Sequence, residues 1–247
     1  MPSFDAIRTL PSFRRQFGPA APVAPAKLSG ALDPGELQIK ILIPNDPTAQ
    51  ALATSIFQAI KQAHRTWQST AVLTGVMVNA VTAVGGIVVG PPLTPLIIAN
   101  IQGKNSAEQK LVKAIATVVG TSWLTYTSTI RVPGLPWYPA FAAVPGPVAP
   151  PTPNIPSPLL TLTQIAAPLN SPVMKAQIIG QLAGDRSREK IIDAVLVAFA
   201  QFFSIWQVTT MVTNVLGTGP VPSFAPPFVP VGPVVAGVGT MIPGGFI

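Results

Sequence analysis

No residue between Thr66 and Gly103 carries a charge, nor any between Val132 and Met174, nor any from Ala194 to Ile247. Tracts like these limit what the chain can fold into more than any motif does. A lone soluble protein covers roughly 25–35% of its surface with Lys, Arg, Asp and Glu. Here the whole 247-residue chain is 9% charged and 48% apolar. A disordered chain has the opposite balance. The apolar content suffices for a sizeable core, but too few ionic side chains remain to wet the outside. Neighbouring subunits or a membrane must therefore cover part of it.

Much chemistry is excluded at once. Without cysteine there is no disulfide scaffold, Fe–S cluster, thiolate zinc site or thiol nucleophile. The single histidine, His64, excludes multi-histidine metal sites. Phosphate-loop, nucleophile-elbow and dinucleotide motifs are missing, and Pro220 spoils Gly217-Thr218-Gly219 as a phosphate nest. Asp185, Glu189 and Asp193 are spaced to share a helix face, but the interleaved Arg186, Arg188 and Lys190 read as a solvated, ion-paired first turn. His64, next to Arg65, reads as a polar residue on a helix surface. The expectation is a protein that is not an enzyme and has no cofactor or metal. The net charge of +7 is spread thinly over the first 190 residues, without an aromatic RNA-binding signature. It predicts a mild, non-specific attraction for nucleic acid or another polyanion.

Residues 194–216 form an uncharged stretch long enough to span a membrane, flanked by Arg186, Arg188 and Lys190. Against a span, Gln201, Gln207 and Asn214 interrupt it. The other two uncharged tracts are broken by prolines and glycines, whose unpaired backbone is costly in lipid.

Three sections share one order of parts. Each opens on a polar turn, continues as a helix to a tryptophan (Trp67, Trp123, Trp206), passes into a Thr-rich β-prone run and reaches a Pro-Pro pair. Leu52, Ile56, Ile60 and Ala63 form the apolar stripe of the first helix, capped by Asp46-Pro47, with Lys61 and Arg65 on the wet side. Leu111, Val112, Ile115, Val118 and Val119 form the second, with Asn105 or Ser106 as cap and Glu108 in the first turn. The third, Ser187 to Trp206, is apolar on every side beyond its first turn and should be central to the fold or to an oligomer. Val76–Val84 and Ile87–Val89 read as a hairpin turning at Gly85-Gly86. The expected fold class is α+β: three degenerate helix–Trp–strand units with long Pro-rich extended arms. The sections are 1–43 (extended N-terminal arm), 44–102 (helix and hairpin), 103–183 (helix with Pro-rich arm) and 184–247 (apolar helix with Pro/Gly-rich C-terminal arm).

Proline is excluded from central strands, so the tails should run as extended arms, ordered only where another surface binds them. Trp137-Tyr138, between Pro136 and Pro139, would anchor such an arm to a neighbour. The candidate interface residues are Trp67, Trp123, Trp137, Tyr138, Trp206, Phe224 and Phe228, with the apolar arm from Pro220 to Ile247. At the N-terminus Arg14-Arg15 is followed by Pro19, Pro22 and Pro25, which break the apolar helix a signal sequence needs.

With its VNAVTAVGG and GPPLTPLI stretches, its helix–Trp–Ser/Thr units and its docking arms, the chain resembles minor structural proteins of large tailed-bacteriophage particles. The likeness is one of style and brings no functional residues with it. It implies a structural subunit located in the virion (head, neck, tail or baseplate). Its partners would be other structural subunits, bound by apolar helices and proline-rich arms in a homo- or hetero-oligomer. The alternative is an integral or membrane-associated, non-catalytic subunit of a membrane complex.

Overall fold

Two aspartate–proline pairs start the first two helices. The computed structural model describes residues 33–101, 105–163, 169, 171–222, 224–225 and 229–247, and only the backbone of 224, 225, 229 and 230. Asp33 caps α1 (Pro34–Leu42) by accepting from the Gly35 amide, and Asp46 caps α2 (Pro47–Thr70) by accepting from Ala49. Residues 34–42, expected within an extended arm, are thus helical. The rest of that arm, to Leu32, lies outside the described residues. Helix α3 (Leu93–Ala99) leads to α4 (Ser106–Thr127), where Asn105 and Glu108 form a reciprocal capping box. Helix α5 (Ser171–Gln181) precedes α6 (Glu189–Thr209).

The all-round apolar α6 is central, as its sequence requires. It packs against α1, α2 and α5. It is also the one described helix long and apolar enough to cross a membrane, yet more than half of that window is buried inside the fold. The neighbouring helices of the chain supply that cover.

Each tryptophan sits about one turn before its helix ends, so the first part of each Thr-rich run is still helical. The threonines are satisfied by their own helices: Thr70 bonds the Thr66 carbonyl, Thr125 that of Thr121 and Thr209 that of Ile205. Strands β1 (Val72–Asn79) and β2 (Thr82–Val89) form the expected hairpin, but its turn lies elsewhere. It is made by Ala80-Val81, with Ala80 at φ 51°. Gly85 and Gly86 lie inside β2, both at positive φ across from Gly75. A side chain on Gly86 would strike Val76, so these glycines kink a strand rather than end it.

The remaining strands are β3 (Val132–Pro136), β4 (Val144–Pro145), β5 (Val148–Pro153), β6 (Ser157–Pro158), β7 (Met211–Val212), β8 (Val215–Pro220), β9 (Phe224–Ala225), β10 (Val229–Gly232) and β11 (Gly237–Met241). Six form one antiparallel sheet in the order β3-β2-β1-β11-β8-β5. The fold is α+β, and the sheet draws strands from all three sections proposed beyond residue 43. The proline-rich segments are its two edges. Pro133 and Pro136 lie on β3, and Pro150, Pro151 and Pro153 on β5, where missing N–H groups cost no internal ladder bond. They also blunt both edges against further strand addition. The expectation that these segments add to neighbouring subunits is corrected accordingly: their described parts pair within the chain.

The C-terminal arm is corrected in the same way. Strand β11 occupies the middle of the sheet, between β1 and β8. The final residues return to the helices: Ile247 exchanges backbone bonds with Met211, and Gln68 of α2 donates to the Phe246 carbonyl at 2.9 Å.

Candidate interaction surface

Buried aromatics hold three helices together. Trp67, Trp123 and Trp206 end three different helices and meet in space. Trp123 lies 4.8 Å from Trp67 and 5.1 Å from Trp206, ring centre to ring centre. His64 sits among them, 4.9 Å from both Trp123 and Trp206, with Phe202 at 5.1 Å. All three tryptophans are buried, so they are core residues of the subunit itself and not surface offered to a neighbour. His64, expected on a helix surface, is 1% exposed, and its Nε2 has no hydrogen-bond partner. Burial lowers its pKa to about 3, with the Arg65 charge a smaller cause. Lys61, expected on the wet side, is also buried, because α1 covers it and Asp33 pairs with it.

Trp137 and Tyr138 are interior too. The Tyr138 hydroxyl donates to the Val215 carbonyl at 2.7 Å, and its ring stacks on Phe141 at 5.0 Å. Burial raises the Tyr138 pKa well above the usual tyrosine range. This ring pair lies on the inner face of the sheet, on a platform of glycines. A side chain on Gly217 would meet Tyr138 and Phe141, and one on Gly239 would meet the Tyr138 hydroxyl. Pro-Trp-Tyr-Pro therefore anchors its segment to the chain's own sheet. Phe224 is described by its backbone alone, paired to Pro230 in β10, and Phe228 lies outside the described residues.

Gly219 shows how tight this platform is. A Cβ there would fall 2.5 Å from the Gly237 Cα across the β8–β11 pair. Gly219→Ala should destabilise the chain by about 2 kcal/mol, measured as a lower urea midpoint with unchanged slope.

The acidic residues singled out earlier are partnered. Glu189 and Asp193 both pair with Lys175 of α5, at 2.7 and 2.8 Å, and Arg186 approaches Glu189 at 3.8 Å. Lys175 holds the Glu189 carboxyl below its usual pKa. Asp185 instead accepts from the Ser187 amide before the helix begins. No cluster of three metal-ligating side chains occurs among the described residues.

The outer face of the sheet is one surface open to a partner. Cross-strand registers place Pro133, Val84, Met77, Val238 and Thr218 in one row across five strands. Met77 and Val238, side by side at its centre, are each 55% exposed. Val148, on edge strand β5, and Ile87 are exposed as well. None of the six strands carries a charged residue. Among the described residues every charge except Arg131 lies on a helix or a turn flanking one. Charge segregation of this kind leaves an apolar patch with no ionic side chain to solvate it. The sequence does not mark this face, because single exposed residues separated by buried ones carry no local signal until strand pairing is known.

No protein-family model matches this chain, and no curated protein or solved structure shows a significant similarity to it.

Proposed function

We propose that the chain is a non-catalytic structural subunit of a large protein assembly, of the kind that builds a tailed-phage particle. In this reading the uncharged outer sheet face seats a neighbouring subunit. The charge-bearing helices face water. The observation that carries the proposal is the exposed Met77–Val238 row on a sheet without one ionic side chain. The organisation of the sequence, which resembles minor virion proteins, supports the particle as its location. The blunted sheet edges support face-to-face packing over strand addition as the mode of contact.

Fractionation after lysis tests this. The protein should co-sediment with particles and not with membranes. Purified alone, it should self-associate or require a partner at high concentration and low salt. Met77→Lys and Val238→Lys, made separately, should each change folding stability by less than about 1 kcal/mol, since both sites are exposed. Each should nonetheless release the protein from the particle fraction. A wild-type chain that stays monomeric when concentrated in low salt, without additives, overturns the proposal. Recovery with membranes would do the same.

A further inference from the structure

The helical pole has a second, chemically different surface. A groove of about 850 Å³ runs between α4 and the α5–α6 connection. Lys110 and Lys113 of α4 and Arg188, just before α6, line it, and none of the three forms an ion pair among the described residues. Lys110 and Lys113 are three residues apart and so share one helix face. Ala107, Leu182 and Ala183 give the groove an accessible apolar floor, with Leu111 and Ala114 buried beneath it. It begins at Ser106, the positive end of a 22-residue helix. The one acid on its rim, Asp185, is already bonded to the Ser187 amide.

We infer that this groove binds an acidic, amphipathic segment of a different polypeptide. Carboxylates of the segment would meet Lys110, Lys113 and Arg188, and its apolar side chains would cover Ala107, Leu182 and Ala183. Charge complementarity sets the sign of the partner, and the spacing of this chain's own acids argues against a second copy. Every described carboxylate already has a partner. Asp33 takes Lys61, Glu36 takes Gln58, Glu189 and Asp193 share Lys175, and Asp46, Glu108 and Asp185 accept from backbone amides. In the whole sequence at most two acids occur in succession without an intervening Lys or Arg, so a copy of the chain offers no acidic segment of this kind. Nucleic acid fits less well. The groove offers no aromatic ring for base stacking, and a phosphate backbone would leave the apolar floor uncovered.

The test uses the full chain and a fluorescein-labelled peptide of alternating Glu and Leu, with a thymidine oligonucleotide of equal charge as the competing probe. Fluorescence anisotropy should show the peptide binding more tightly than the oligonucleotide, and raising salt from about 50 to about 300 mM should weaken it. Lys110→Glu/Lys113→Glu should weaken peptide binding at least about tenfold. Lys40→Glu/Arg65→Glu makes the same change in net charge at exposed sites outside the groove and should change binding less than about twofold. Circular dichroism of both variants checks that the fold is kept. Equal losses in the two variants would mean general electrostatics and overturn the inference. So would an oligonucleotide that binds as well as the peptide, or a peptide that does not bind.

Discussion

Trp123→Ala should remove about 4 kcal/mol from the stability of the isolated chain. Its ring is 2% exposed and lies 4.8 Å from Trp67, 4.9 Å from His64, 5.1 Å from Trp206, 5.7 Å from Tyr126 and 6.1 Å from Phe203. Truncation would open a cavity where three helices and the end of the chain converge, with rings too rigid to collapse into it. No hydrogen bond is lost, because the indole Nε1 has no partner. The loss is one of packing and edge-to-face contact. Trp123→Phe, which keeps an aromatic ring, should recover roughly half of it. Urea unfolding of the purified protein measures both, with the midpoint falling at constant slope. A tryptophan reserved for a neighbouring subunit would behave in the opposite way, leaving isolated stability unchanged and weakening association.

That contrast shows what the sequence could and could not reveal. Asp46-Pro47 and a cap at Asn105 or Ser106 with Glu108 in the first turn were legible because capping acts over three or four residues. The structure selects Asn105 and closes the box with Glu108. The stripe through Ile56 and Ile60 was equally legible, and it continues through His64 to Trp67. Residue polarity hid that continuation: a histidine on an apolar stripe reads as surface until α4 and α6 are seen to close over it. The tryptophans recur in the sequence, but recurrence says nothing of convergence in space. The rule that proline belongs on edge strands was available. Which sheet β3 and β5 would edge depends on pairings such as Thr152 with Gly217, which are remote in the chain. Strand β11 was hidden for a related reason. Gly237 and Gly239 leave the inner face without side chains until Met241, so the alternation that marks a half-buried strand is missing. The bulk on that face comes from Tyr138 and Val234, supplied by other segments. The outer face, and with it the candidate site, appears only when these remote strands are in register.

His64 gives the second large effect. Unfolded, its imidazole titrates near 6.5, while in the fold it stays neutral down to about 3. The unfolded chain therefore binds the proton first, and stability must fall as pH drops through that window. The slope approaches about 1.4 kcal/mol per pH unit below pH 6, and the full loss by pH 3 is about 5 kcal/mol. Asp185 and Glu189 also lose stabilisation in acid, because their folded pKa values lie below the ordinary 3.8 and 4.5. Their contribution fades only near and below those values. The interval from pH 6.5 to 4.5 thus belongs mainly to His64, and the wild type should lose about 2 kcal/mol across it. His64→Leu should flatten this interval. At neutral pH the variant should be about as stable as the wild type, because Nε2 gives up no hydrogen bond and the site is lined by rings. Urea midpoints measured at half-unit pH steps decide the matter. If the variant keeps the wild-type slope between pH 6.5 and 4.5, the titrating group is not the histidine enclosed by the three tryptophans.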